Sequence, residues 1–215
     1  MFSLIVFDLD GTMVDSRRDI ADAANALLVS CGAAPIPETD IGRMVGDGAA
    51  RLVARAFKAS GVERPPDALD RYLALYDERL LNHTRPYHGI PAVLEALGRS
   101  AALAVLTNKP IASTRRILAG LDLARYFPAD AVLGGDGPFP RKPDPAALRH
   151  LIAAVQTTAD STLMVGDSVI DWQTARAAPA RVCLARYGFG FDSVPLHELA
   201  PDDYLIDAPG DLLSL

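Results

Sequence analysis

Four short polar clusters hold most of the residues that could carry out chemistry. The first, Asp8-Leu9-Asp10-Gly11-Thr12-Met13-Val14-Asp15, brings carboxylates close together in the chain. The others are Thr107-Asn108-Lys109, Arg141-Lys142-Pro143-Asp144-Pro145 and Gly166-Asp167-Ser168-Val169-Ile170-Asp171. Carboxylates can attack as nucleophiles, exchange protons or bind a hard cation. A phosphate ester repels such a nucleophile unless a metal or a lysine screens its oxygens, so this combination is suited to phosphate chemistry.

Short apolar runs beside these clusters predict the strands that position them. The runs are Ser3–Phe7, Ala102–Leu106, Ala131–Leu133, Thr162–Val165 and Arg181–Ala185. Helical patterns lie between them, at Ala92–Leu97, Ile111–Leu118 and Ala146–Val155. Strand alternating with helix predicts an α/β fold, with a Rossmann-like parallel sheet and helices on both faces. The loops after parallel strands share one edge of the sheet, so the polar clusters are expected to converge there.

The segment between Asp15 and Pro86 has a different pattern, with no strand run. Apolar residues form three amphipathic stripes, one from Ile20 to Leu28, one from Leu52 to Phe57 and one from Leu69 to Leu80. We therefore predict a helical cap domain at residues 16–85 and an α/β core domain at residues 1–15 and 86–215. Because the insertion follows the first strand, it is placed to cover the end of the sheet where ligands bind.

Composition excludes several classes of partner. The formal charge is −6, and no stretch concentrates Lys or Arg as a nucleic-acid surface would require. No apolar run is long enough to span a bilayer, and no export signal is recognisable, so no membrane association and a cytoplasmic location are expected. Cys31 and Cys183 are then expected to be reduced packing thiols. The pattern leaves both a monomer and a homodimer open.

The four clusters, in this order and strand context, resemble the four motifs of the haloacid dehalogenase superfamily. The insertion is similar to the C1-type cap of that family. Further stretches are similar to its phosphoglycolate phosphatase branch: Met44–Gly48, Thr84–Tyr87, Thr107–Pro110 and Leu133–Asp136. The resemblance implies a Mg²⁺-dependent phosphatase for a small phosphorylated metabolite, with 2-phosphoglycolate as the leading substrate. A phosphomutase and a phosphatase for another small metabolite are the alternatives.

The resemblance also implies roles for the acidic residues. Asp8 would form an aspartyl-phosphate, and Asp10 would protonate the leaving oxygen and then activate water. Mg²⁺ would be held by Asp8, by Asp167 and by the backbone carbonyl of Asp10. Lys142 would screen the phosphoryl group and keep Asp8 ionised. Asp171 would either contact a metal-bound water or brace Lys142.

The remaining candidates concern substrate binding. Thr107 and Asn108 offer hydrogen bonds to phosphoryl oxygens. The glycines of Gly46-Asp47-Gly48 permit a cap loop to approach the substrate closely, although a plain turn between helices is the other reading. Arg43 and Arg51 flank this loop, and either is a candidate partner for a substrate carboxylate.

Other chemistries fit less well. The four histidines lack zinc-ligand spacing, and Gly188-Phe189-Gly190-Phe191 is more typical of a turn than of a nucleotide loop. A dehalogenase would need neither Asp10 nor Asp167. A non-catalytic binding module would be expected to lack Asp8, Asp10, Lys142 or Asp167, and all four are present.

Overall fold

The computed structural model describes residues 2–215, which form strands, helices and short helical turns. The strands are β1 (Leu4–Phe7), β2 (Val14–Asp15), β3 (Arg85–Pro86), β4 (Ala102–Leu106), β5 (Val132–Leu133), β6 (Thr162–Gly166), β7 (Arg181–Ala185) and β8 (Tyr204–Ile206). The helices are α1 (Arg17–Ser30), α2 (Glu38–Gly42), α3 (Ala49–Ser60), α4 (Ala68–Asp77), α5 (Ile90–Leu97), α6 (Ile111–Gly120), α7 (Ala146–Ala154) and α8 (Val169–Ala177).

A parallel sheet of six strands, ordered β5-β4-β1-β6-β7-β8, forms the centre of the molecule. The strand β1 is internal to it and pairs in parallel with β4 on one side and β6 on the other. Every residue of β1 is buried, as expected for a strand covered on both faces. The polar clusters that follow β1, β4 and β6 therefore begin at neighbouring carboxyl ends of the sheet.

Both faces of the sheet are covered by apolar side chains, which confirms the predicted α/β fold. Because successive side chains of a strand point to opposite faces, Ile5 and Phe7 pack in one cluster with residues of α5 and α6. Leu4 and Val6 pack in the other cluster with residues of α7 and α8. The predicted strands are found with shifts of one residue at some of their ends.

The segment between β2 and β3 forms four helices, α1 to α4, which we call the helical insertion. The predicted amphipathic stripes supply its buried residues, including Leu27 of α1, Phe57 of α3 and Tyr72 of α4. The chain leaves and re-enters the core through the antiparallel pair β2–β3, with Asp15 opposite Arg85. Its assignment as a separate cap domain stays a prediction.

A buried carboxylate connects the two ends of the helical insertion. Asp19, near the start of α1, accepts hydrogen bonds from the backbone N–H groups of His83 and Thr84 and from the Thr84 hydroxyl, at 2.7–3.0 Å. These bonds satisfy a carboxylate that is completely buried. The entry and exit segments are therefore held together by side-chain contacts as well as by β2–β3.

Within residues 2–215, five strands and helices were not predicted from the sequence: β2, β3, α2, α8 and the edge strand β8. The strand β8 is short and is preceded by the polar residues Asp202 and Asp203, so it has no long apolar run. Among residues 2–215, none of the helices combines the length and apolar character that a membrane span requires.

Candidate active site

A buried lysine joins two carboxylates at the carboxyl edge of the sheet. Asp8 follows β1, and its Oδ1 lies 2.9 Å from Nζ of Lys142, which comes from the loop between β5 and α7. The same ammonium lies 2.6 Å from Oδ1 of Asp171, in the first turn of α8. The other Asp171 oxygen accepts hydrogen bonds from the Ser168 hydroxyl and from the backbone N–H groups of Asp167 and Ser168. Of its two predicted roles, the geometry favours bracing Lys142.

Negative charge exceeds positive charge at this point. Burial raises the pKa of Asp8 to about 6, because desolvation and the neighbouring carboxylates outweigh the attraction of Lys142. Burial, together with Asp171 and Asp8, also raises the pKa of Asp167 well above its ordinary value. Burial lowers the pKa of Lys142, but its two carboxylate partners outweigh this and raise it above the ordinary value. The lysine therefore stays charged, but one ammonium cannot balance the negative charge of three neighbouring carboxylates.

The same carboxylates form a group that could hold a metal ion. Asp8, Asp167 and Asp171 each offer an oxygen, and these oxygens lie within 4.8 Å of one another. Asp171 is already bonded to Lys142 and Ser168, so Asp8 and Asp167 have the more available oxygens.

Asp10 lies beside Asp8 in sequence but has different partners. Both of its carboxylate oxygens accept hydrogen bonds from Nζ of Lys109, at 2.9 and 2.7 Å, and the Ser16 hydroxyl donates to Oδ1 at 2.5 Å. The Lys109 ammonium also lies 4.6 Å from the centre of the Tyr76 ring, which comes from α4. The residue pattern predicted no role for Lys109 or Ser16. The only signal for Lys109 was its place beside Thr107 and Asn108.

The loop Gly188–Phe191, which was predicted to be a turn, also reaches the site. The backbone N–H of Gly190 donates to Oδ2 of Asp167 at 2.8 Å, while the Thr12 hydroxyl is 3.4 Å from the other oxygen. Gly11 packs so closely that an added Cβ would lie 2.0 Å from Asp167 Oδ2. Sequence reasoning missed this contribution because it depends on a tertiary contact between distant loops.

Asn108 connects the helical insertion to the core. Its side-chain Nδ2 donates to the backbone oxygens of Gly46 and Lys142, at 2.9 Å each. Both amide hydrogens are thus engaged, so the predicted donation from Asn108 to phosphoryl oxygens is not available in this arrangement. Its Oδ1 is buried and has no hydrogen-bond partner among residues 2–215. Gly46 adopts φ +116° at this contact, a conformation that favours glycine.

Most of the candidate site residues line one pocket. Asp8, Asp10, Thr107, Asn108 and Gly46 line it, and Asp167 completes its acidic side. The helical insertion contributes an apolar and aromatic wall, formed by Val45, Ala49, Leu52, Tyr72, Leu73 and Tyr76. Neither Arg43 nor Arg51, the two candidate partners for a substrate carboxylate, lines the pocket. Arg43 is mostly exposed and lies near Asp40 and Asp192 instead.

The parallel sheet, the acidic site at its carboxyl edge and the inserted helices together define a protein of the Rossmann-like α/β class with its site at the carboxyl ends of the strands. A family model described as haloacid dehalogenase-like hydrolase matches residues 5–185. The chain belongs to this family.

Named relatives agree with this assignment. A phosphoglycolate phosphatase from Rhodospirillum rubrum is 44% identical over 199 residues, covering 88% of this chain and 82% of the relative. Another from Agrobacterium fabrum is 35% identical over 212 residues, covering 95% and 88%. The crystal structure of a predicted phosphoglycolate phosphatase from Haemophilus somnus is similar with a TM-score of 0.88 and 31% identity, covering 99% of this chain and 97% of that one.

Proposed function

We propose that this hydrolase is a phosphoglycolate phosphatase, which converts 2-phosphoglycolate and water to glycolate and phosphate. The observation that carries the proposal is the buried Asp8–Lys142 pair, 2.9 Å apart, at the end of an internal strand of the sheet. Relatives that bear this enzyme name support the choice of substrate.

The donor set fits a magnesium ion. Asp8 and Asp167 supply carboxylate oxygens, and oxygen ligands are those that Mg²⁺ prefers. Burial, together with neighbouring carboxylates, raises the pKa of both groups, so a bound cation would favour their ionised forms. Asp8, Asp167 and the backbone carbonyl of Asp10 would hold the ion. When bound, it would supply positive charge that offsets the charge of the phosphoryl oxygens.

In the first step of the proposed reaction, Asp8 attacks phosphorus and the bond to the ester oxygen breaks. Asp10 gives its proton to that leaving oxygen, so glycolate departs with a hydroxyl group. Lys142 orients Asp8 and provides positive charge beside the phosphoryl group, while Thr107 is available as a hydrogen-bond donor from the pocket wall.

In the second step, water attacks the phosphorus of the aspartyl-phosphate. Asp10, now ionised, accepts a proton from that water, and the bond between Asp8 and phosphorus breaks. Asp8 returns as a carboxylate, Asp10 is protonated again, and phosphate leaves. One acid thus serves both steps, which is why its environment must differ from that of Asp8.

Replacement of the nucleophile tests this mechanism. Asp8→Asn should reduce phosphate release from 2-phosphoglycolate to background in a colorimetric assay with Mg²⁺ and no acceptor sugar. The matched control is Asp144→Asn, because Asp144 is exposed and lies outside the pocket, where its carboxylate accepts a hydrogen bond from the backbone N–H of Ala146. Substantial turnover by Asp8→Asn would remove the covalent mechanism. Absence of free phosphate with the wild-type enzyme would instead favour a transfer reaction.

Metal removal gives an independent test of the magnesium assignment. EDTA should stop phosphate release, and added Mg²⁺ should restore it, because Asp8 and Asp167 would lose the cation that balances them. Full activity in EDTA would contradict the assignment.

A further inference from the structure

Charge in the active-site pocket is unevenly distributed. Of the residues that line it in the described part of the chain, the charged ones are Asp8, Asp10, Asp167 and Lys109. Lys109 is therefore the one cation in this lining. Lys142 lies behind Asp8 and is already shared between Asp8 and Asp171.

The Lys109 ammonium has unused hydrogen-bonding capacity. An ammonium group has three N–H donors. Two contacts go to the oxygens of one carboxylate, that of Asp10, and its side chain is otherwise buried. On the side of the helical insertion, the centre of the Tyr76 ring lies 4.6 Å from Nζ. A polar ligand at this position would find a charged group with a third N–H donor.

In the described lining, the other walls offer no positive charge for a second anionic group of a substrate. The helical insertion lines the pocket with Val45, Ala49, Leu52 and Leu73, none of which carries charge. A substrate with a phosphate at one end and a carboxylate at the other would place its second negative group in a pocket that already holds three carboxylates. Burial of that group without a cation would be strongly unfavourable.

We propose that Lys109 determines substrate specificity by binding a carboxylate that the substrate carries in addition to its phosphate. The inference rests on the proposed phosphatase function and extends it, because it assigns the recognition of the second anionic group to a residue of the core instead of to Arg43 or Arg51. The Tyr76 ring packs against the ammonium and holds it at the boundary between core and insertion.

A ratio of two substrates tests the proposal. The probes are 2-phosphoglycolate and ethyl phosphate, which resemble each other in size but differ in the carboxylate. Wild-type enzyme should favour 2-phosphoglycolate in kcat/KM, and Lys109→Met should reduce this preference by about ten- to hundredfold, as expected for loss of a hydrogen bond to a charged group. Any general effect through Asp10 acts on both substrates and cancels in the ratio. Lys109→Arg, which keeps the charge, should retain part of the preference.

Arg43→Gln provides the matched control, because it also removes a positive charge but lies outside the pocket. Its substrate ratio should equal that of the wild-type enzyme. A binding measurement gives a second readout: in an Asp8→Asn background, Lys109→Met should weaken calorimetric binding of 2-phosphoglycolate by a similar factor and leave that of ethyl phosphate unchanged.

The inference would be overturned by an unchanged ratio in Lys109→Met, whether both rates fall equally or neither changes, or by a lowered ratio in Arg43→Gln. Equal losses would show that Lys109 only positions Asp10. Failure of the proposed function looks different, since the wild-type enzyme would then release phosphate from neither ester. Hydrolysis of ethyl phosphate without a preference for 2-phosphoglycolate would leave a phosphatase but reject a carboxylate site.

Discussion

At Asp8, burial and two neighbouring carboxylates oppose the attraction of Lys142. Lys142 favours the ionised carboxylate, yet burial and the nearby Asp171 and Asp10 raise the pKa of Asp8 to about 6. The folded, metal-free protein therefore binds a proton at Asp8 more readily than the unfolded chain does. A carboxylate in such surroundings is costly to keep ionised at neutral pH, and this cost lowers the stability of the metal-free fold.

This conflict predicts that the nucleophile destabilises the metal-free protein. An acid whose pKa rises from 3.8 to about 6 on folding loses stability as pH rises through that window, by about 3 kcal/mol in total. Asp8→Asn removes the ionisable group, so it should be more stable than wild type at pH 7.5 by up to that amount. Urea unfolding in EDTA measures the difference, which should shrink towards pH 4. A less stable variant at pH 7.5 would contradict the prediction.

Gly11 allows a second test at single-residue resolution. Its φ is +86°, and a Cβ added there would lie 2.0 Å from Asp167 Oδ2. Gly32 has a similar φ of +80°, but an added Cβ would meet nothing within 4 Å. Gly32→Ala should cost only backbone strain, about 1 kcal/mol, and keep full activity. Gly11→Ala should cost more and abolish phosphate release, because Asp167 must move. Similar activities in the two variants would count against the role of Asp167.

Among the elements, α1 depends on a contact outside the site. Asp19 satisfies the N–H groups of His83 and Thr84 where the chain returns to the core. Asp19→Ala should destabilise the protein by about 3 kcal/mol, because it leaves buried donors unpaired. Asp22→Ala on the same helix is the control, since Asp22 is exposed and pairs only loosely with Arg18. Denaturant unfolding should show less than about 0.5 kcal/mol for the control. Equal effects of the two changes would exclude the proposed linkage.

The elements also show what sequence patterns can predict. The strands β1, β4, β6 and β7 were recognisable because short apolar runs buried on both faces leave a local signature. The strand β8 has three residues at the sheet edge and no such signature. The helix α8 begins with a capping arrangement of Ser168 and Asp171 inside a motif that was interpreted for its chemistry alone.

The candidate site divides in the same way. Asp8, Lys142 and Asp167 could be found because their types and strand positions are local facts, and the structure places them together. The pairing of Lys109 with Asp10 and Tyr76 could not be found, since it joins three segments far apart in the chain. The same holds for Gly190 on Asp167. Pairings of this kind depend on how loops and inserted helices pack, which residue spacing does not encode.

At the scale of the whole molecule, packing exposes the two cysteines to different degrees. Cys183 lies in β7, and burial raises the pKa of its thiol to about 12, so very little thiolate forms at pH 8. Cys31 is partly exposed and unpaired. A thiol reagent such as DTNB should therefore modify one cysteine quickly in the native protein and both in urea. Cys31→Ser should abolish the fast phase. Rapid modification of both thiols under native conditions would show that the sheet opens more readily than its packing indicates.

The antiparallel pair β2–β3 places the departure and the return of the polypeptide side by side, with Val14 opposite Pro86. The two ends of the helical insertion are therefore adjacent, and the insertion can change in length without changing the path of the chain between strands of the sheet. The hydrogen bonds of the six-stranded sheet are made by other strands. Evolution could accordingly replace one set of inserted helices by another of different length without changing the register of β1, the strand that Asp8 follows. Diversification of substrate choice and preservation of the reaction centre would then proceed as separate evolutionary events.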